Sequence, residues 1–294
     1  HTRRGSGRQT GGMEHSEEER LAGGSIGGAV RVGATVRRPT GPWTPTIHAL
    51  LAHLDAAGLD GIPRVLGYDD RGREVLSYLE GFTVHDGAHD GAHDAVRDQA
   101  DDRGGRWPAW AYSDEVIAQV MAWLARYHAA VASFRPDEPL RWRSGVRPLA
   151  ADQLVCHNDI APYNIVVREE NGGVRLVGVL DWDVAGPGYP LDDLAFGAWN
   201  FVPLAEVERI STDEAARKLR LLASAYGRFA ATEVLRAVVP RLERSLRTIR
   251  AGAEAGDEGM RNLAASGALA WNERALRELR ARLPEIQAAL RPGS

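Results

Sequence analysis

The run Val155-Cys-His-Asn-Asp-Ile-Ala-Pro-Tyr-Asn-Ile-Val166 sets His157, Asp159 and Asn164 in the order H-x-D-x-x-x-x-N. An acid returns at Asp181, in Leu180-Asp-Trp-Asp183, after the next apolar stretch. A phosphoryl group moving from a nucleotide to a hydroxyl needs one carboxylate to orient the acceptor OH and accept its proton. It also needs oxygen ligands for the magnesium that neutralises phosphate charge. Asp159 suits the first task. Asn164 can ligate a metal through a neutral carbonyl, adding no charge beside Asp159, and Asp181 can supply an anionic ligand. The spacing is that of a metal-dependent phosphotransfer site.

Positioning these groups falls to two strands. Residues 164–167 and 174–180 are rich in β-branched and apolar side chains, and Asn171-Gly-Gly173 between them is a hairpin turn signal. A strand-turn-strand returns Asn164 and Asp181 to the same end. A surface hairpin whose Asp and Asn only cap turns is the blander reading, and four polar groups at matching spacing argue against it. Upstream, residues 21–33 read as a glycine-bearing turn between strands, and 34–39 as the next strand. Thr44-Pro45 reads as an N-cap and first helical position, with Ile47, Leu50, Leu51 and Leu54 at helical spacing after it. Residues 62–67 and 74–79 read as further strands. A helix is expected over 116–134, and others over 212–226, 228–248 and 264–290. Pro240 is expected to interrupt the third of these, and Pro284 to punctuate the last.

His157-Asn-Asp159 through Asn164, then Asp181-x-Asp183 and Asp193-Leu-Ala195, resembles the H-G-D-x-x-x-x-N, I-D and D-L-A signatures of the aminoglycoside phosphotransferase family, the small-molecule branch of the protein-kinase-like fold. The resemblance extends more loosely over residues 21–200. It implies an α+β, bilobal protein-kinase-like fold: an antiparallel-sheet nucleotide lobe over 21–82, a linker over 83–110 and a mainly helical lobe over 111–294, after a tail over 1–20. It also implies that Asp159 is the catalytic aspartate, that Asn164 and Asp181 hold magnesium, that His157 braces the loop and that Asp193 is a buried structural aspartate. ATP is the implied donor, with Gly24, Ser25 and Gly27 over its phosphates and the backbone at Ser77 and Leu79 against its base. Asn158 stands where the family has Gly, so it must take the backbone geometry of that Gly, which Asn tolerates better than most residues.

The phosphate-holding half departs from the pattern. Of 36 basic residues only Lys218 is a lysine, so the small lobe lacks the strand lysine that grips the α and β phosphates in kinases. Arg37 and Arg38 lie on the right strand. Alternation turns one of them inward, and Arg38 is favoured because it leaves Val36 under the base. An arginine can grip phosphate oxygens bidentately. The partner glutamate is missing too, since no Glu occurs between Gly41 and Gly61; Ile47 or His48 falls near its place. The guanidinium is then held by phosphate alone or by Asp55. Asp183 could share the metal or hydrogen-bond the loop, with the second favoured, and Asp192 reads as solvated.

Composition narrows the class. An apolar content of 44% with 26% charge is that of a globular protein, and a net charge of −4 argues against nucleic-acid partners. A lone cysteine, Cys156, precludes an internal disulfide, reads as a small buried residue and fits a reducing cytoplasm. No run approaches the ~20 apolar residues of a membrane span. His85-Asp-Gly-Ala recurs at His89 and His93; Gly87 and Gly91 argue against a metal-binding helix there, and 84–108 reads as a solvated linker. The expected activity is ATP- and magnesium-dependent transfer to a hydroxyl of a small molecule, antibiotic-like or sugar-containing. The acids Glu206, Glu208, Asp213 and Glu214 are balanced by neighbouring bases, so an uncharged or acidic acceptor fits as well as an aminoglycoside. Trp199 and Phe201 could wall the acceptor or pack in the core. The other reading is a non-catalytic nucleotide sensor or immunity-type protein. Protein-kinase activity lacks its A-P-E segment.

Overall fold

A computed structural model describes residues 18–21, 28–85 and 107–291. Gly24, Ser25, Gly27, His89 and His93, together with the tail up to residue 17, lie outside the described residues. In chain order the elements begin with β1 (Glu19–Arg20), β2 (Val30–Val32), β3 (Thr35–Arg38), α1 (Thr44–Ala56), β4 (Val65–Tyr68), β5 (Glu74–Ser77) and α2 (Asp114–Val131). Next come β6 (Leu140–Trp142), β7 (Gly145–Arg147), β8 (Leu154–Cys156), β9 (Ile165–Glu170), β10 (Gly173–Val179) and β11 (Gly186–Gly188). Five helices finish the chain: α3 (Pro190–Phe201), α4 (Thr212–Tyr226), α5 (Ala231–Glu254), α6 (Glu258–Ala265) and α7 (Ala268–Ala289).

The first five strands form one antiparallel sheet in the order β1-β2-β3-β5-β4. Ile47, Leu50, Leu51 and Leu54 are buried on one face of α1, at the spacing of successive helical turns. Full burial of each such side chain contributes roughly 1.5–3 kcal/mol, which holds α1 in place without a side-chain cap. Thr44 is not that cap, contrary to the sequence reading. Its hydroxyl accepts from the Gly41 N–H at 2.9 Å, closing the preceding turn, and Trp43 takes the cap position.

Beyond Phe82 the molecule is mostly helical, with α2 at its centre. Ser113 caps α2 by accepting from the Val116 N–H. Val120, Trp123, Leu124 and Tyr127 then run down its buried face, as their spacing predicts. The Gln119 amide ties α2 to the β9–β10 hairpin, donating to Val174 O at 2.9 Å and accepting from Leu176 N at 2.8 Å. Asn171 (φ 53°) and Gly172 (φ 78°) take the left-handed conformations that a tight hairpin turn requires. The two parts are stitched together at Phe82, which exchanges both backbone hydrogen bonds with Val167 at 2.9 Å. Gly81 permits this approach, because a Cβ there would lie 2.5 Å from Val167 O.

Three helix expectations change. α5 runs unbroken through Pro240, and α7 through Pro284. Proline removes a single ladder bond, and apolar side chains buried on both sides of Pro240, Val234, Leu235, Val238 and Leu242, hold the helix across the gap. The expected 264–290 helix is divided at Ser266 and Gly267, where Gly267 turns the chain at φ 84°. The short strands β1, β6, β7 and β11 were not expected, since two or three residues carry no readable periodicity. Among the described residues no helix is long and apolar enough to cross a membrane. Pro240 is exposed and sits mid-helix, where proline costs about 3 kcal/mol relative to alanine. Pro240→Ala is expected to stabilise the protein by about 1 kcal/mol or more, read as a higher urea midpoint at unchanged slope; an unchanged midpoint contradicts this account.

Candidate active site

The loop after β8 is built on two buried groups. Asp193 on α3 is fully buried, and its carboxylate collects three partners. Oδ2 accepts from the His157 N–H at 2.8 Å and meets His128 Nε2 at 3.1 Å; Oδ1 accepts from the Asn158 N–H at 2.7 Å. Burial pushes its pKa up, but the His128 hydrogen bond and the other donors outweigh that and hold it below the usual carboxylate range. His157 is the second group. Its Nε2 donates to Leu180 O at 3.0 Å and its Nδ1 accepts from the Asp159 N–H at 3.3 Å, which fixes the neutral tautomer. Burial lowers its pKa, keeping it neutral. The ring thus spans from the loop that carries Asp159 to the residue before Asp181.

Asn158 takes φ 68°, the left-handed geometry of the glycine it replaces. Its side-chain amide donates to Val184 O at 3.2 Å, and Arg241 on α5 donates to its carbonyl at 2.6 Å. Asp159 follows, half-buried. Its Oδ1 accepts from the Tyr163 hydroxyl at 2.8 Å and its Oδ2 from Asn164 Nδ2 at 2.7 Å. Burial and the nearby Asp181 charge push its pKa up to about 6, so it is a better proton acceptor than an ordinary carboxylate while remaining mostly ionised at neutral pH.

The hairpin brings Asn164 and Asp181 to one end. Leu180 N donates to Asn164 O at 2.8 Å, which sets Asn164 beside the strand end that leads into Asp181. Because Asn164 Nδ2 is committed to Asp159, Oδ1 is the atom left for a cation. Asp181 takes φ 57° and keeps its side chain 38% exposed. One amide oxygen and one carboxylate beside a second acid form the hard-oxygen donor set that suits magnesium.

From the small lobe, Arg38 reaches the same acids. Its Nε donates to Glu74 Oε1 at 2.6 Å, its second terminal nitrogen to Asp183 Oδ1 at 2.5 Å, and its first lies 3.6 Å from Asp181 Oδ1. Burial opposes its charge, but Asp183, Asp181 and Glu74 outweigh burial and hold the guanidinium charged above its ordinary range. Glu74 lies directly opposite Arg38 in the β3–β5 register and is buried, with its other oxygen 2.9 Å from His48 Nε2. The missing helix glutamate is therefore replaced from a neighbouring strand, with His48 of α1 supporting it. Asp55 does not serve: it pairs with Arg64 at 3.0 Å. Asp183 binds Arg38 rather than the loop.

Residues 34–232 match the model of APH, the phosphotransferase enzyme family. The chain belongs to that family. It is 36% identical over 222 residues to the trifolitoxin immunity protein of Rhizobium leguminosarum bv. trifolii, covering 72% of this chain and 75% of that protein. Among solved structures it resembles the GDP complex of aminoglycoside 2'-phosphotransferase-IIIa, with TM-score 0.55 at 14% identity over 91% of this chain and 93% of that one. It also resembles an ethanolamine kinase of Plasmodium vivax, with TM-score 0.50 at 9% identity over 87% and 84%. These likenesses show the kinase-like fold of the family: an antiparallel sheet followed by a mainly helical region.

Other family positions distribute as follows. Ser77 directs its N–H to Arg64 O at 2.9 Å and takes the Arg64 N–H on its hydroxyl at 2.8 Å, so its backbone donor is engaged by the loop before β4. Leu79, two residues on, lies beyond the end of β5 where the chain leaves the sheet. Trp199 and Phe201 are buried in the core and form no wall. Asp192, expected to be solvated, pairs with Arg244 and accepts from the Tyr189 N–H at the start of α3. Glu206 pairs with Arg209, and Glu214 with Arg217. Cys156 is buried, as expected. Arg143 was missed. From the tight β6–β7 turn it grips Asp257 with two bonds of 2.9 and 2.7 Å and stacks over Trp43 at 4.8 Å. Only the turn at Gly145 (φ 109°) could have hinted at it.

The raised Asp159 pKa has a sign that stability can report. A carboxyl whose folded pKa lies above its unfolded value weakens the fold above the folded pKa, and that penalty fades as pH falls from about 6 toward 4. Asp159→Asn, which removes the charge, should therefore be more stable than wild type at pH 7.5 by on the order of 2 kcal/mol. The advantage should vanish near pH 4, and urea unfolding of metal-free protein across that range checks it.

Proposed function

We propose that the chain is an ATP- and magnesium-dependent phosphotransferase that moves the γ-phosphate to a hydroxyl of a small molecule. The observation that carries this reading is the convergence of Asp159, Asn164 and Asp181 at one end of the β9–β10 hairpin, with Arg38 reaching them from the sheet. Magnesium held by Asn164 Oδ1 and Asp181 would supply charge neutralisation on the nucleotide phosphates. Asp159 orients the acceptor hydroxyl and takes its proton, and Arg38 holds phosphate oxygens in place of a lysine. Asp183 and Glu74 aim the guanidinium. Positioning and electrostatics supply most of the rate in such a site. Gly24, Ser25 and Gly27 are assigned to the phosphates, and Ser77 and Leu79 to the base. Leu79 is the better placed of the two, because the Ser77 N–H is engaged by Arg64.

A neutral or acidic acceptor is favoured over a polycation. The helix behind Asn158 brings Arg241, buried and stacked over Phe196 at 4.6 Å, to the loop that carries Asp159. Glu214 of α4 is already paired with Arg217. Likeness to a protein of toxin immunity suggests that the biological role is protection, by phosphorylating a toxic compound in the cytoplasm.

The same likeness favours one alternative, protection by binding without catalysis. Asp159→Ala separates the two. Transfer, followed as ADP release with a panel of hydroxyl compounds, should drop by at least about a thousandfold, while nucleotide affinity in a fluorescence titration stays within about threefold. Equal loss of both sinks the catalytic assignment, and protection that survives in cells carrying the variant favours sequestration. Arg38→Gln should weaken magnesium-ATP binding by about tenfold or more, as expected for a lost charge-assisted contact; unchanged affinity moves the phosphate role to Arg37 or the glycine turn.

A further inference from the structure

The phosphotransfer reading leaves one contact without a task. Of the two Asp159 oxygens, Oδ2 is occupied by Asn164, and Oδ1 already accepts a hydroxyl, that of Tyr163 at 2.8 Å. Oδ1 is the oxygen that an acceptor hydroxyl must meet, so a hydroxyl of the chain itself occupies the acceptor's place. The local backbone explains how. Pro162–Asn164 forms a single 3₁₀ turn in which Pro162 and Asn164 are buried and Tyr163 is only half-buried. The Tyr163 ring therefore lies at the open side of the loop, where it packs on Trp107 with centroids 5.6 Å apart and planes at 54°. Trp107 is half-buried in turn and meets His85 edge-on at 6.2 Å.

We propose that Tyr163 is the place-holder and specificity residue of the acceptor site. Its phenol holds Asp159 Oδ1 until an acceptor hydroxyl displaces it, and the Tyr163 and Trp107 rings then form the face against which the acceptor is seated. This rests on the phosphotransfer reading and adds the acceptor's chemical class: a hydroxyl on a compound with a flat ring or apolar ring face. Aromatic side chains stack such faces favourably and offer no anchor for multiple ammonium groups beyond weak ring-cation attraction.

Exchange explains the selectivity. A hydroxyl bound to a carboxylate is a strong hydrogen bond, and an acceptor brings its own hydroxyl together with ring contacts, so displacement loses nothing. Water brings the hydrogen bond alone. With Tyr163 in place, water is kept from the oxygen that would take its proton. In Tyr163→Phe that oxygen faces solvent. A water placed there gives its proton to Asp159 while its oxygen bonds to the γ-phosphorus. The bond from that phosphorus to the bridging oxygen breaks, yielding ADP and inorganic phosphate.

The test uses the full chain with magnesium-ATP and no added acceptor. Phosphate release by Tyr163→Phe should exceed wild type by about tenfold or more, the lower end of what a hydrogen bond to a charged group is worth. The Asp159→Ala/Tyr163→Phe double variant should fall back to the level of Asp159→Ala. A Tyr163→Phe rate no higher than wild type, with unchanged nucleotide affinity, overturns the role. Phosphate recovered on Tyr163 itself also overturns it, because the hydroxyl would then be an acceptor. A second readout needs no turnover. In metal-free protein carrying Cζ-labelled tyrosine, the resonance lost in Tyr163→Phe should shift in Asp159→Ala, and no shift overturns the contact. Failure of wild type to bind magnesium-ATP would instead sink the phosphotransfer reading as a whole, which keeps the two failures distinct.

Discussion

A carboxylate with no exposed surface is tolerable only when its oxygens are fully served, because moving an unpaired ion into an apolar interior costs tens of kcal/mol in the idealised limit. Asp193 meets that condition with the amides of His157 and Asn158 and with His128. Satisfying Asp193 therefore dictates the path of the loop after β8. The two amides can converge on one carboxylate only if the chain turns sharply at Asn158, and that turn is the left-handed φ of 68°. Asp159 emerges from the turn already aimed at Asn164. The loop is thus folded around a charge on α3, and the half-buried Asp159 carboxylate is positioned by the fully buried one.

The second organising charge is Arg38. It draws Glu74, Asp183 and Asp181 around one guanidinium and so links a strand of the small sheet to the end of the β9–β10 hairpin. A point-like ammonium could serve one of these acids well. A planar group with five donors can serve a strand partner and a loop partner in different directions at once. The relocation of the supporting glutamate from helix to strand follows from that geometry, since Glu74 directly opposite Arg38 needs no reach across the lobe. His48 fills the space at the helix and binds the glutamate's free oxygen.

Much of this was legible in the residues. The H-x-D-x-x-x-x-N run, the hairpin between Asn164 and Asp181 and the inward Arg38 follow from spacing, β-branched composition and strand alternation, and the left-handed Asn158 follows from the glycine it replaces. What was not legible depends on contacts distant in sequence. Glu74 lies 36 residues from Arg38 and Asp183 lies 145 residues from it, and no local pattern reports such pairings. Arg143 is hidden for the same reason. Proline was overread at positions 240 and 284, where flanking buried side chains outweigh the loss of one backbone bond. Asp192 was underread, because its partner Arg244 comes from another helix.

The near-absence of lysine has a practical consequence. Arginine stays protonated throughout the range in which proteins fold, so it offers no free amine lone pair for acylation. Reagents that mark nucleotide sites by acylating the strand lysine of kinases have nothing to react with beside Arg38. Apart from the terminal amine, the chain's one amine is Lys218 on α4, which is partly buried and bonded to Tyr112 O and Asp114 at 2.8 Å. Amine-directed profiling would therefore pass over the Arg38 cluster in a cell extract, and guanidine-directed dicarbonyl reagents are the chemistry suited to find it.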